Sequence, residues 1–174
     1  MAGKGIMIMN LLKRTKYISQ TLTQKQEIFL RLNDLEALYH GSDGSITLLF
    51  VALQYVDLPG YNALILSPTY AMCIALRDVS CDLLGGTDAN IIDGGASWRF
   101  PSGARIFFSC IESAKDKYRY VGTSWQYIGW DNIAQFAYQS DYTFLFGYLR
   151  RSKNSAIPLR VRTSEKLPKE HKAK

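Results

Sequence analysis

One stretch limits the fold more than any other: Trp125-Gln126-Tyr127-Ile128-Gly129-Trp130, an aromatic and apolar run ending at once in Asp131-Asn132. Aromatic and β-branched residues without polar alternation suit a strand covered on both faces, which in an open α/β sheet is a central, parallel strand. A carboxylate at its C-terminal end emerges where such sheets place their ligands. In nucleotide-hydrolysing sheets a carboxylate there organises Mg²⁺, and a Glu commonly follows it to activate water. Here the following residue is Asn132.

The rest of the chain reads as layers around that strand. Residues 1–22 show no clear period and are expected to be a loose lead-in. Thr23 with Gln26 three residues on is a capping-box pattern, and Ile28, Phe29, Leu32 and Leu35 continue at helical spacing, so a helix is expected over 24–34. A short strand over 36–40, a turn-rich loop over 41–45 and an apolar helix over 46–56 follow. A buried strand over 61–66 and a helix over 70–84 come next, and 85–95, bracketed by Gly85-Gly86 and Gly94-Gly95, is left without regular structure. Trp98 to Phe100, the turn Pro101-Ser102-Gly103 and Ala104 to Cys110 read as a hairpin. Residues 112–120 read as a solvated surface segment, 133–151 as partly helical, 159–163 as a last short strand, and 164–174 as a charged, disordered end. Strands alternating with helices point to a three-layer α/β domain with a mainly parallel sheet.

The strand, glycine loop and apolar helix over 36–56 have the order of a phosphate-binding loop, in which backbone N–H groups and a helix N-terminus hold an anion. Gly41, Gly44, Ser45 and Thr47 are the candidate contacts, with Thr47 as the hydroxyl for Mg²⁺. The Lys that such a loop needs falls on Ile46 in this alignment, and the loop is short. An ordinary strand-turn-helix fits the same residues.

Charge is concentrated at the ends. The net charge is +6, with Lys4, Lys13, Arg14 and Lys16 in the first sixteen residues and six basic residues against two acidic ones from Arg160 onward. Such ends suit phosphate contacts with nucleic acid or, more simply, solvated tails. Cys73, Cys81 and Cys110 lack metal-ligand spacing and read as reduced thiols, Cys110 in the core. No segment is long enough to span a membrane, and with thiols read as reduced a cytoplasmic location is expected.

As a collinear series, these pieces resemble the N-terminal ATPase domain of bacteriophage large terminase subunits, the motors of DNA packaging. The series runs through Thr23-Gln24-Lys25-Gln26, Glu36-Ala37-Leu38-Tyr39, Ala52 to Leu66, Phe100-Pro101-Ser102-Gly103-Ala104, Asp116 to Tyr120, Gln126 to Asp131 and Pro158 to Arg162, and it covers about residues 20–163. The resemblance implies a P-loop NTPase-like fold binding ATP and Mg²⁺, with Gln26 contacting adenine, Gly41 to Thr47 at the Walker A position and Asp131 at the Walker B position. It implies Mg²⁺ held by Thr47 and Asp131, and Thr163-Ser164 as the motif coupling hydrolysis to DNA movement. It further implies double-stranded DNA, the portal and the small terminase subunit as partners, assembly as a homo-oligomeric ring, and a C-terminal nuclease domain, for which this sequence has no counterpart. The chain departs from the family at the loop Lys, at Asn132 where the catalytic Glu stands, at Ser67-Pro68 where an Arg is common, and after Ser164. The expectation is a truncated, prophage-type relative with impaired or no ATP hydrolysis. The alternative is a non-catalytic DNA- or partner-binding scaffold that keeps the fold. A Lys from elsewhere, such as Lys115 or Lys117, is a conceivable substitute, and a sheet cut after Thr163 would leave an exposed edge and self-associate.

Overall fold

A computed structural model describes residues 13–166. Its elements are α1 (Gln24–Arg31), β1 (Glu36–His40), α2 (Gly44–Leu53), β2 (Asn62–Ser67), α3 (Tyr70–Leu84), β3 (Asn90–Ile92), β4 (Ser97–Arg99), β5 (Arg105–Cys110), β6 (Tyr127–Trp130), α4 (Gln139–Phe146) and β7 (Arg160–Glu165). They form one seven-stranded sheet in the order β1-β7-β6-β2-β5-β4-β3. The five strands from β1 to β5 in that order run parallel, and β4 and β3 add an antiparallel margin. The expected three-layer, mainly parallel α/β domain is the observed one.

β6 lies inside the sheet between β2 and β7, and all four of its residues are buried. One face of the sheet carries Ala63, Ile65 and Tyr127 beneath α1, α2 and α3. The other carries Leu64, Leu66, Ile128, Trp130 and Val161 beneath Leu145 of α4 and Leu149. α2 is apolar all round because it is covered all round: from Thr47 to Leu53 every residue is buried. Each large apolar side chain so buried contributes about 1.5–3 kcal/mol. The helix is tied to the central strand as well, since the Tyr127 hydroxyl donates to the Leu48 carbonyl at 2.9 Å.

Several expectations need correction. α1 ends at Arg31 rather than 34, because Leu32 turns to extended backbone (ψ 128°) and its carbonyl is taken by Arg162. Ile28 and Leu35, expected on its apolar face, are 58% and 44% exposed; the buried face is Gln26, Phe29 and Leu30. α2 begins at Gly44 and closes at Leu53, so it starts two residues earlier than expected. Within the lead-in, the described residues are not loose: Tyr17, Ile18 and Leu22 are buried, and the Tyr17 ring packs edge-on against Phe100 at 4.9 Å. Residues 90–92, left without structure, pair with β4 as β3. The segment over 112–120 is not simply solvated, since Asp116 and Tyr120 are buried and the Asp116 carboxylate accepts the Glu112 and Ser113 N–H groups.

The end of the chain differs most. β7 runs to Glu165, so Ser164 and Glu165 belong to a strand; residues 167–174 lie outside the described residues. β7 is not an edge either. It pairs with β1 on one side and β6 on the other, so the edges are β1 and β3, and self-association through a strand ending at Thr163 loses its basis. Nor are Arg160 and Arg162 part of a solvated basic tail, being 4% and 0% exposed. Cys73 and Cys110 are buried, and burial pushes the Cys73 thiol up to about 11; Cys81 is exposed.

Candidate functional site

Strand ends and one helix start meet at Asp131. The residue follows β6 directly, is held by its N–H on the Leu66 carbonyl (2.8 Å), and is 2% exposed. Its Oδ1 accepts hydrogen bonds from Ser45 Oγ at 2.7 Å and from Ser164 Oγ at 3.0 Å. Ser45 is the second residue of α2 and Ser164 the fifth of β7, so the carboxylate joins three elements distant in sequence. Ser164 Oγ in turn accepts the Asn132 N–H at 2.9 Å. That geometry places Asn132 in left-handed backbone (φ 56°, ψ 61°), which asparagine adopts more readily than most residues.

The loop before α2 is tightly closed. A Cβ on Gly44 would stand 2.6 Å from Ser164 Cβ, and one on Gly41 2.8 Å from Asp43 Oδ1 and 2.9 Å from Tyr39 Cε1. Both glycines therefore allow approaches that a side chain would block. Asp43 sits at the N-cap of α2 but makes no side-chain cap; its carboxylate oxygens both lie 3.0 Å from the Tyr39 hydroxyl. Burial, reinforced by that bond, raises the Tyr39 phenol above its ordinary value and keeps it a donor. The first N–H groups of α2 consequently have no partner within the helix and no side-chain cap.

Thr47 is not at this centre. It is fully buried, its hydroxyl donates to the Asp43 carbonyl (2.8 Å), and it accepts from Gln26 Nε2 at 3.1 Å. The hydroxyl beside Asp131 is Ser45. The phase of the helix explains the difference, because residues two apart on a helix point to different sides. Gln26 is committed twice, to Thr47 and, through Oε1, to the Thr23 N–H that closes the capping box (2.9 Å). Strand alternation also divides the pair Thr163-Ser164. Ser164 faces Asp131, whereas Thr163 lines a separate, aromatic cavity of about 430 Å³ with Trp130, Tyr142 and Glu36.

Beside Asp131 lies a cavity of about 260 Å³, lined by Ser42, Asp43, Ser45, Ile46, Asp131 and Lys166, with a wall from α3 that includes Met72 and Leu76. Mg²⁺ commonly takes one or two protein oxygens and fills its octahedron with water and phosphate. The Ser45 hydroxyl and Asp131 carboxylate fit that role. Among the described residues no group of three or more His, Cys, Asp or Glu side chains is placed to hold a metal alone. Adenine fits less well, since Gln26 is 5% exposed and does not line the cavity. Neither Lys115 nor Lys117 lines it; Lys117 Nζ is paired with Asp141 Oδ1 at 2.9 Å, which holds the ammonium protonated above its ordinary range. Lys166, assigned from sequence to a disordered end, does line it. The signal for it was the strand pattern of 160–165, which extends past Thr163 only when Arg162 and Ser164 are allowed as inward residues.

No known protein family profile matches the chain, and no curated protein matches it in sequence. Solved structures do match in shape. The large terminase of a thermophilic bacteriophage superposes with a TM-score of 0.58 at 14% identity, over 84% of this chain and 39% of that one. The large terminase ATPase domain of Thermus phage P74-26 superposes at 0.54 with 10% identity, over 85% of this chain and 66% of that one; a single-residue variant of the same domain gives 0.56 and 11%. The chain thus spans under half of the first of these proteins and about two thirds of the isolated P74-26 domain. Its seven-stranded, mostly parallel α/β fold is the fold of phage large terminase ATPase domains.

Proposed function

We propose that this chain is a terminase-like relative in which the ATPase site is preserved as a site but does not turn over ATP efficiently. The observation that carries this reading is Gly44. In phosphate-binding loops the Lys directly precedes the hydroxyl residue that helps hold Mg²⁺. With Ser45 on Asp131, the residue in the Lys position is Gly44, two residues before the Ile46 that sequence alignment indicated, and Ser164 occupies the space its side chain would need. Asn132, in the position of the Glu, cannot accept a proton, and the loss of a general base removes about 10²–10⁴ in rate.

Mg²⁺, when bound, would neutralise charge on the phosphates. Ser45 and Asp131 are the residues that would hold it, with Ser164 fixing the carboxylate's orientation. Thr163 and Ser164 sit on the strand that leaves this site, which suits a coupling role. Contacts with double-stranded DNA, a portal or a small subunit, and assembly as a homo-oligomer, come to this chain from the resemblance. Burial of Arg160 and Arg162 takes two charges away from any DNA-facing surface, so the scaffold reading depends on other basic residues.

The test is phosphate release from Mg-ATP by the full chain beside Asp131→Ala. Equal release by the two is expected. Turnover that disappears in Asp131→Ala would refute the reading.

A further inference from the structure

We propose that Lys166 supplies the cation that the loop lacks, and that the cavity beside Asp131 takes the Mg²⁺-bound polyphosphate of a nucleotide without gripping its base. The inference rests on the reading above that this cavity is the phosphate site.

Lys166 follows β7 by one residue and lies an even number of positions from Ser164, so alternation sends both toward the same face. It lines the cavity with Ser45, Asp43 and Asp131. Glu165 between them points the other way, to His40 (3.6 Å). The uncapped start of α2, ten residues long, adds N–H groups and a partial positive charge at the same cavity.

A second observation is independent of the helix. Ser67 Oγ and Asn132 Nδ2 are buried without any hydrogen-bond partner, in residues 1% and 4% exposed. Both flank Asp131. Asn132 follows it in the chain, and Ser67 follows Leu66, whose carbonyl receives the Asp131 N–H. Ser67 also shares the α2 face of β2 with Ala63 and Ile65. Unpaired buried polar atoms are uncommon, and although neither residue lines the cavity itself, these two leave the surroundings of Asp131 incompletely hydrogen-bonded.

The ligand's chemistry follows from charge and size. Asp43 and Asp131 repel a bare phosphate, so the anion enters with a divalent cation. At about 260 Å³ the cavity is below the usual 300–1,000 Å³ of small-molecule sites. It has room for phosphates, and Gln26, to which the resemblance assigns adenine, does not line it and is occupied by Thr23 and Thr47.

Calorimetric titration of the full chain with Mg-tripolyphosphate, Mg-ATP and Mg-GTP tests this. The three should bind within about threefold of one another, Lys166→Ala should weaken all of them by about tenfold, and Lys166→Arg should keep most of the affinity. Lys166 is exposed, so neither variant disturbs the core. No binding by the unaltered chain, binding unchanged in Lys166→Ala, or about a tenfold preference for ATP over tripolyphosphate would each overturn the proposal. Phosphate release separates the two readings: release that falls with Lys166→Ala would sink the turnover-deficient reading and leave this one standing.

Discussion

Arg162→Ala is expected to lower unfolding stability by about 3–5 kcal/mol. Arg162 is 0% exposed, and no carboxylate among the described residues pairs with it. Its partners are carbonyls: Leu32 (2.9 Å), Asp34 (3.0 Å), Leu35 (3.3 Å) and Val161 (2.9 Å), with the guanidinium 5.7 Å from the Phe29 ring centre. Burial lowers its pKa only to about 10, so it stays charged at neutral pH. Three of those carbonyls belong to the connection between α1 and β1. Removing the guanidinium takes a charged donor from each of them, although the Leu35 carbonyl keeps the Val161 N–H (2.7 Å), and each hydrogen bond from a charged group contributes about 1.5–3 kcal/mol. Arg162→Met keeps much of the volume but not the donors, so it should fall nearly as far. Arg162→Lys has one ammonium for carbonyls that the planar fork reaches together. Urea unfolding decides the matter, and a loss under about 1 kcal/mol for Arg162→Met would show that these bonds contribute little net stability.

The same strand explains what sequence could and could not reveal. The buried central strand was legible because Tyr127 to Trp130 is apolar without alternation, and α3 fills the span of 70–84 expected for it. β7 was legible only as far as Thr163. Arg160, Arg162 and Ser164 are its inward residues, and polar side chains at inward positions read as a solvated segment until their partners are known. Those partners lie far away in sequence: Gln54 for Arg160, the 32–35 connection for Arg162, and Asp131 for Ser164. The candidate site was half legible for the same reason. Asp131 announces itself as a carboxylate after a buried run, whereas the one-dimensional alignment put Thr47, not Ser45, beside it as the Mg²⁺ hydroxyl. Only the phase of α2 against β6 separates them. Gln26 entered the candidate site through the resemblance, and its spacing from Thr23 serves the helix cap, which engages its oxygen.

Restoring a side chain at Gly44 should fail, and the manner of its failure tests how the loop is closed. In an exposed helix Gly→Ala gains about 1 kcal/mol. At Gly44 the new Cβ would meet Ser164 Cβ at 2.6 Å, and that atom cannot withdraw because β7 is pinned between β1 and β6. Gly44→Ala should therefore cost about 1–3 kcal/mol, and Gly44→Lys at least as much, with no gain in phosphate release. Ser164→Gly alone loses the hydroxyl's bonds to Asp131 and to the Asn132 N–H. In that background the obstruction at Gly44 is gone, so Gly44→Ala should become neutral or stabilising. The double-mutant cycle then gives a coupling of at least about 1 kcal/mol between two positions 120 residues apart, where independent sites would add. Additive losses would mean that the loop moves aside freely. In that case the absence of Lys before Ser45 would be a matter of sequence alone, and Gly44→Lys together with Asn132→Glu would be the variant in which ATP turnover should return.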